Sequence, residues 1–212
     1  MRCSVDIGQY IGQYIGHMTT RRTRAVYDNP AAMEPILPEG NSGKLQELAT
    51  RLLQKSAALG SAVHPITRAG IVDLVRNMNS YYSNLIEGHN THPADIEKAL
   101  RKDYSADPAK RALQLESRAH VEVQRLIEQR LVEADVDICS ADFIRWIHQE
   151  WYKRLPEEFC IVKTRSGKED RVIPGQLRVC EVEVGQHTAP AWKSLPALIG
   201  RFQEAYRPEQ YD

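Results

Sequence analysis

Tyr81-Tyr82-Ser83-Asn84-Leu85-Ile86-Glu87-Gly88 is the stretch that sets the architecture. Upstream of it Ile71, Leu74 and Met78 recur with helical spacing, and Tyr81, Tyr82, Leu85 and Ile86 continue the apolar side. A helix is therefore predicted from about Pro65 to Glu87. Gly88 is its expected stop, since glycine accepts the left-handed conformation that ends many helices. Ser83 and Glu87 lie four apart and share one helix face. Glu87 falls in the last turn, where the helix dipole disfavours negative charge, so its carboxylate needs a cationic partner or open water.

Working outward, a first helix is predicted from Gly43, with Leu45, Leu48, Leu52 and Leu53 on one face and Gly60 as its stop. Thr91 is expected to cap a short helix that has Pro93 in its first turn and Asp95 and Glu97 complementing the dipole. Asp107 caps a long helix with Pro108 at its first position. Leu113, Leu115, His120, Val123, Leu126, Ile127 and Leu131 mark its inward side. Ser140 opens a further helix through Phe143, Ile144, Ile147 and Trp151.

After Pro156 the period changes. Phe159 to Val162 and Leu177 to Val184 alternate apolar and polar residues and are expected as short strands, with Gly167 in the turn and Gly185 closing the second. Pro190 and Pro196 bracket the entry to a last helix over roughly Ser194–Tyr206. The expected fold class is mainly α: a helical bundle carrying an inserted β-hairpin. It divides into an irregular arm (1–42), a helical region (43–106) and a part containing the hairpin (107–212). The arm opens with a tandem tetrad, Ile7-Gly8-Gln9-Tyr10 and Ile11-Gly12-Gln13-Tyr14, whose glycines work against a helix.

Lys plus Arg and Asp plus Glu number 28 each in 212 residues, so the net charge is zero. That balance gives no electrostatic reason to expect nucleic acid or an anionic membrane as partner. Arg21, Arg22 and Arg24 are too few to make a phosphate-tracking arm without an aromatic platform. No apolar run approaches a membrane span and no secretory leader opens the chain. Cys3, Cys139, Cys160 and Cys180 are widely spaced, form no CxxC pair and no zinc-ligand pattern, and are read as reduced thiols of a cytoplasmic protein. His89 and His92 straddle a loop and are not read as a metal site. His148 is read as a packed core histidine, and Arg178 as a structural arginine bonding a helix end or Glu181.

The pattern Ser83, three residues, Glu87, Gly88 matches the inhibitory motif of Fic-family proteins, and the wider stretch Asn79 to Ile96 resembles long bacterial members. The resemblance implies that Glu87 is the inhibitor, with Ser83 and Gly88 shaping the helix tip. Its carboxylate would sit on a guanidinium fork in the place of an ATP phosphate. Pro174-Gly175-Gln176-Leu177-Arg178, followed by Glu181-Val182-Glu183-Val184-Gly185-Gln186-His187-Thr188-Ala189-Pro190, resembles the flap of the same family. By that resemblance Val184, Gly185, Gln186 and His187 contact the nucleotide, and the edge strand of the flap holds a target protein by main-chain pairing.

The family's chemistry lies in a loop of the form His-Pro-Phe-x-Asp/Glu-Gly-Asn-Gly-Arg-x-x-Arg, whose His is the general base and whose acidic residue holds Mg2+. No His-Pro-Phe and no Gly-Asn-Gly occurs here; His64-Pro65 and His92-Pro93 lack everything that should follow. The resemblance covers about residues 43 to 212, and Trp192 to Tyr206 is similar to the segment that precedes the loop. It implies a protein adenylyltransferase that moves AMP from ATP, with Mg2+, to a hydroxyl side chain of a target protein. It also implies that this chain is cut before its catalytic loop, bears no catalytic or metal-binding residue, and is inactive alone. Apolar surface left uncovered makes homodimerisation an expected consequence. The competing readings are a non-catalytic helical protein-interaction module and, against the neutral charge, a small DNA-binding regulator.

Overall fold

The structure is a computed structural model. It describes residues 28–37, 40, 42–89, 91–163, 169–184, 187–207 and 209, and of residues 163, 183, 184, 187 and 188 the backbone alone. The tandem tetrad, Arg21, Arg22, Arg24, Gly167, Gly185 and Gln186 lie outside the described residues.

Within them the chain is mainly helical. α1 spans Ser42–Ala62, α2 Pro65–Ile86, α3 Pro93–Leu100, α4 Pro108–Glu133, α5 Ala141–Tyr152 and α6 Leu195–Ala205. Their starts follow from local chemistry. Asp107 Oδ1 accepts from the amides of Ala109 (2.9 Å) and Lys110 (3.1 Å), and Ser140 Oγ accepts from Phe143 N at 3.2 Å. Each satisfies amides that the first helical turn leaves without a carbonyl. Prolines occupy the first turns of α2, α3, α4 and α6, where no amide hydrogen is needed. No helix of the described residues is long and apolar enough to cross a membrane.

The centre of the fold is the seam where α4 meets α2 and α3. Ile96, Ala99 and Val121 are buried there, together with Thr91, Ser80, Gln114 and Ser117, while Ala119 and Val123 are buried on the opposite side of α4. The polar members are paired. Gln114 Oε1 accepts from Ser105 N at 2.7 Å and its amide donates to Asp95 O at 3.3 Å. Ser117 Oγ accepts from Asn84 Nδ2 (2.8 Å) and donates to Leu113 O (2.8 Å). Small residues such as Ser80 and Ser117 allow α2 and α4 to approach closely. A second, smaller cluster joins α5 and α6 through Phe143, Leu198, Ala205 and Cys139. Arg130 of α4 lies 4.3 Å from the Trp146 ring and bridges the two clusters by a cation–π contact.

Part of the expected arm is tied to α6. Pro30–Ala32 makes a 3-10 turn, Asp28 Oδ1 accepts from Ala191 N at 2.6 Å, and Glu34 pairs with Arg201.

Several expectations change. α1 runs through Gly60 to Ala62, and its Gly60 carbonyl accepts from Arg68 Nη1 at 3.5 Å. Thr91 does not cap α3: His92 holds that position, and Thr91 is buried with Asn84 Nδ2 3.5 Å from its hydroxyl. On α4 only Val123 of the predicted inward residues is fully buried, whereas Gln114 and Ser117 are. α4 has neighbours on several sides, so a single apolar stripe does not describe it. The strand expected over Leu177–Val184 shrinks to β3, Glu183–Val184, paired antiparallel with β4, His187–Thr188. Residues Leu177–Cys180 are instead pinned by Arg178, which donates to the carbonyls of Cys180 (2.5 Å) and Pro190. Arg178 is thus structural as expected, but through carbonyls rather than through Glu181 or a helix end. A separate hairpin pairs β1, Ile161–Lys163, with β2, Glu169–Arg171, in the register Ile161 opposite Arg171. Glu169-Asp170-Arg171 has no apolar alternation, so the sequence pattern does not mark it as a strand. Cys139 and Cys160 are buried thiols.

Candidate functional site

The C-terminal end of α2 is built by two hydrogen bonds that reverse the chain. His89 N donates to Asn84 O at 2.7 Å and Gly88 N to Leu85 O at 3.1 Å, with Gly88 at φ +83°. This is a Schellman turn, and its left-handed residue suits glycine because a Cβ there costs roughly 1–2 kcal/mol. Glu87 is the capping residue, its amide 3.3 Å from Ser83 O. Its side chain is exposed and makes no ion pair among the described residues. Ser83 is half-buried and contributes through its carbonyl. The residue that fixes the tip is Asn84, which the sequence reading does not single out. Its carbonyl closes the Schellman turn while its amide reaches Ser117 and Thr91.

Across from this tip, Glu116, His120 and Gln124 of α4 recur at four-residue spacing on one face. The Gln124 amide nitrogen lies 2.9 Å from His120 Nε2, so this ring nitrogen accepts and the ring is held neutral. Burial pushes the His120 pKa down, with the Glu87 charge opposing. Burial pushes the Glu116 carboxyl up; nearby His89 opposes this and the Glu87 carboxylate adds to it. Tyr152 of α5 is pushed up by burial and by the charges of Cys160 and Glu116. The His120 ring lies 5.6 Å from Trp151. Glu87, Glu116, His120 and Tyr152 therefore make one electrostatically coupled group drawn from three helices, with His89 joining it. Two carboxylates beside a neutral imidazole suit a cationic group. Among the described residues no set of three or more His, Cys, Asp or Glu side chains is placed to hold a metal ion.

The Glu116 shift carries a sign. A carboxyl raised above its unfolded value stabilises the fold below about pH 4.5, and that contribution is lost as pH rises through the folded pKa. Glu116→Gln should therefore be more stable than the parent chain at pH 7.5, with the difference fading toward pH 4.5. Urea unfolding at a series of pH values reads this, and a difference that is constant with pH would contradict it.

The flap segment is anchored on α5. Gly175 N donates to His148 Nδ1 (2.8 Å), Gly175 O accepts from Arg145 Nε (2.8 Å), and the His148 ring packs 4.8 Å from Tyr152. His148, expected as a core histidine, is half-buried and serves as the acceptor that holds this turn. Burial lowers its pKa, in keeping with an unprotonated Nδ1. Beyond the turn, Ala189 N donates to Val182 O at 3.1 Å, and Val184 pairs with His187. Of the four residues that the resemblance assigns to the nucleotide, Gly185 and Gln186 lie outside the described residues, and Val184 and His187 are described by backbone alone.

The chain matches no protein-family model, no curated protein and no solved structure. The functional reading therefore stands on its residues and their geometry.

Proposed function

We propose that this chain is the regulatory and target-holding part of a Fic-type protein adenylyltransferase, with Glu87 as its inhibitory carboxylate. The observation that carries the reading is the Schellman turn at Gly88, which leaves Glu87 exposed and without an ion pair among the described residues at the tip of α2, beside Glu116 and His120. A carboxylate so placed is ready to take a guanidinium, as the inhibitory motif requires. Ser83 and Gly88 complete the motif. Further support comes from the short β3–β4 pairing, which carries Val184 and His187 opposite each other where a nucleotide and the main chain of a target protein would meet it.

In this reading ATP lies against Val184, Gly185, Gln186 and His187, and Mg2+ is held by the catalytic loop rather than by residues 1–212. When bound, ATP would supply the AMP group. What this chain contributes is the placement of the nucleotide and the carboxylate that restrains it. With no base of the His-Pro-Phe type in its sequence, the chain should transfer nothing when incubated with labelled ATP and Mg2+. Photolabelling with an azido-ATP should mark the peptide containing residues 182–190, saturably and in competition with ATP. Labelling elsewhere, or none that ATP displaces, would count against the nucleotide site. Transfer of AMP to itself or to another protein would overturn the claim of inactivity.

A second reading, a non-catalytic interaction module, draws on a specific observation: α1 and α2 carry large apolar side chains on their exposed sides.

A further inference from the structure

α2 is amphipathic with its faces reversed. At 100° per residue, Asp73, Arg76, Asn77, Ser80, Ser83, Asn84 and Glu87 lie on one side, and every one is polar. That side faces the rest of the protein. Arg76 pairs with Glu128 of α4, Asp73 with Arg125 of α4 at 3.0 Å, and Ser80 and Asn84 bond to Ser117. The opposite side holds Ile71, Leu74, Val75, Tyr82 and Leu85, all exposed; Leu74 is 56% exposed. Helix α1 has the same problem more severely. It makes at most slight contact with the other described elements, and none of its residues is buried. Leu45, Leu48, Leu52 and Leu59 form a stripe at i, i+3, i+7 and i+14, with Leu52 69% exposed. In proteins most of a helix's stability comes from packing an amphipathic face, which α1 does not do within the described residues.

Within one chain the two faces do not meet. Only Val63 and His64 separate α1 from α2, His64 Nδ1 accepts from Ile66 N at 3.3 Å, and Arg68 is held on the carbonyl of Gly60. The faces nevertheless match each other. α1 is 21 residues, about 31 Å, and the α2 face from Ile71 to Leu85 spans about 21 Å. Summed at their exposures, the apolar side chains on these two faces offer on the order of 1,000 Å2 per chain, against the roughly 800 Å2 that each partner gives to a stable interface.

We infer that a second copy of this chain covers these faces: the α1 stripe of each copy packs on the α2 apolar face of the other, about a two-fold axis. One chain carries both halves of the contact, so a closed pair leaves neither apolar face in water. This contact is separate from Glu87, which lies on the opposite side of α2.

Sedimentation equilibrium of the full chain across a wide concentration range tests it. The expected species is a dimer. Leu52→Lys and Leu74→Glu, each at a position exposed in the single chain, should each weaken the dimer by about a hundredfold or more. Mixing the two variants should restore dimers. In the mixed pair one of the two contacts is unaltered, and the other brings the two introduced charges, of opposite sign, together. Circular dichroism at high dilution should give the same helicity for the parent chain and both variants. A monomer at every concentration would overturn the inference. So would dimers that survive both substitutions, or variants that fail to complement, since the last would mean like helices pairing with like.

Discussion

Ile96→Ala should destabilise the protein by about 3 kcal/mol, within the 2–5 kcal/mol range for truncating a fully buried aliphatic side chain. Ile96 has no exposed surface and sits on the eight-residue helix α3, against both α2 and α4. The buried positions around this seam include Ser80, Thr91, Ala99 and Ser117, which are small and cannot swing in to fill a cavity. The buried polar atoms of Gln114 and Ser117 fix the helices further through hydrogen bonds, which resists collapse. Large apolar side chains at fully buried positions are few among the described residues, so one truncation removes a large share of a total that is typically about 5–15 kcal/mol. The urea midpoint should fall with little change in slope. A loss under about 1 kcal/mol would mean that the α2–α3–α4 seam is not the stabilising centre.

Gly175→Ala should cost about 2–3 kcal/mol, from two sources that add. At φ +79° a side chain carries the left-handed penalty of roughly 1–2 kcal/mol. A Cβ there would also stand 3.1 Å from Gln149 Cβ and 3.3 Å from the Arg145 carbonyl, and the latter is backbone and cannot yield. Relief requires the turn to lift off α5, which breaks the bonds to His148 and Arg145 together. Amide exchange should therefore speed up at Gly175 while the α2–α4 seam keeps its protection. Equal loosening of both regions, or none, would contradict this. Protonation of His148 attacks the same anchor. Its depressed pKa means that its contribution is present above about pH 6.5 and is lost as pH falls through the folded value.

How much of this is legible in the sequence depends on the kind of residue. Prolines and capping side chains announce their positions: Asp107 and Ser140 start helices where predicted, and Gly88 stops α2 because its conformation is set by atoms within five residues. Glu87 at an exposed tip follows from the same turn. Asn84 escapes notice because its role is tertiary: nothing near it in sequence says that Ser117 lies 2.8 Å away. Thr91 misleads for the converse reason, its hydroxyl facing Asn84 across the seam rather than the next helix.

The apolar pattern alone determined that α1 and α2 are helices and where they run, since periodicity and end signals are local. It does not say which face of α2 packs. Ile71, Leu74 and Tyr82 carry the pattern expected of a core, yet Arg76, Ser80 and Asn84 are the residues that pack. Only the tertiary structure decided this. Small polar residues let α2 lie close to α4 with Ser80, Asn84 and Ser117 hydrogen-bonded across the seam, and that seam can form within one chain. The wider apolar faces meet no described surface of the same chain, and their burial is left to association.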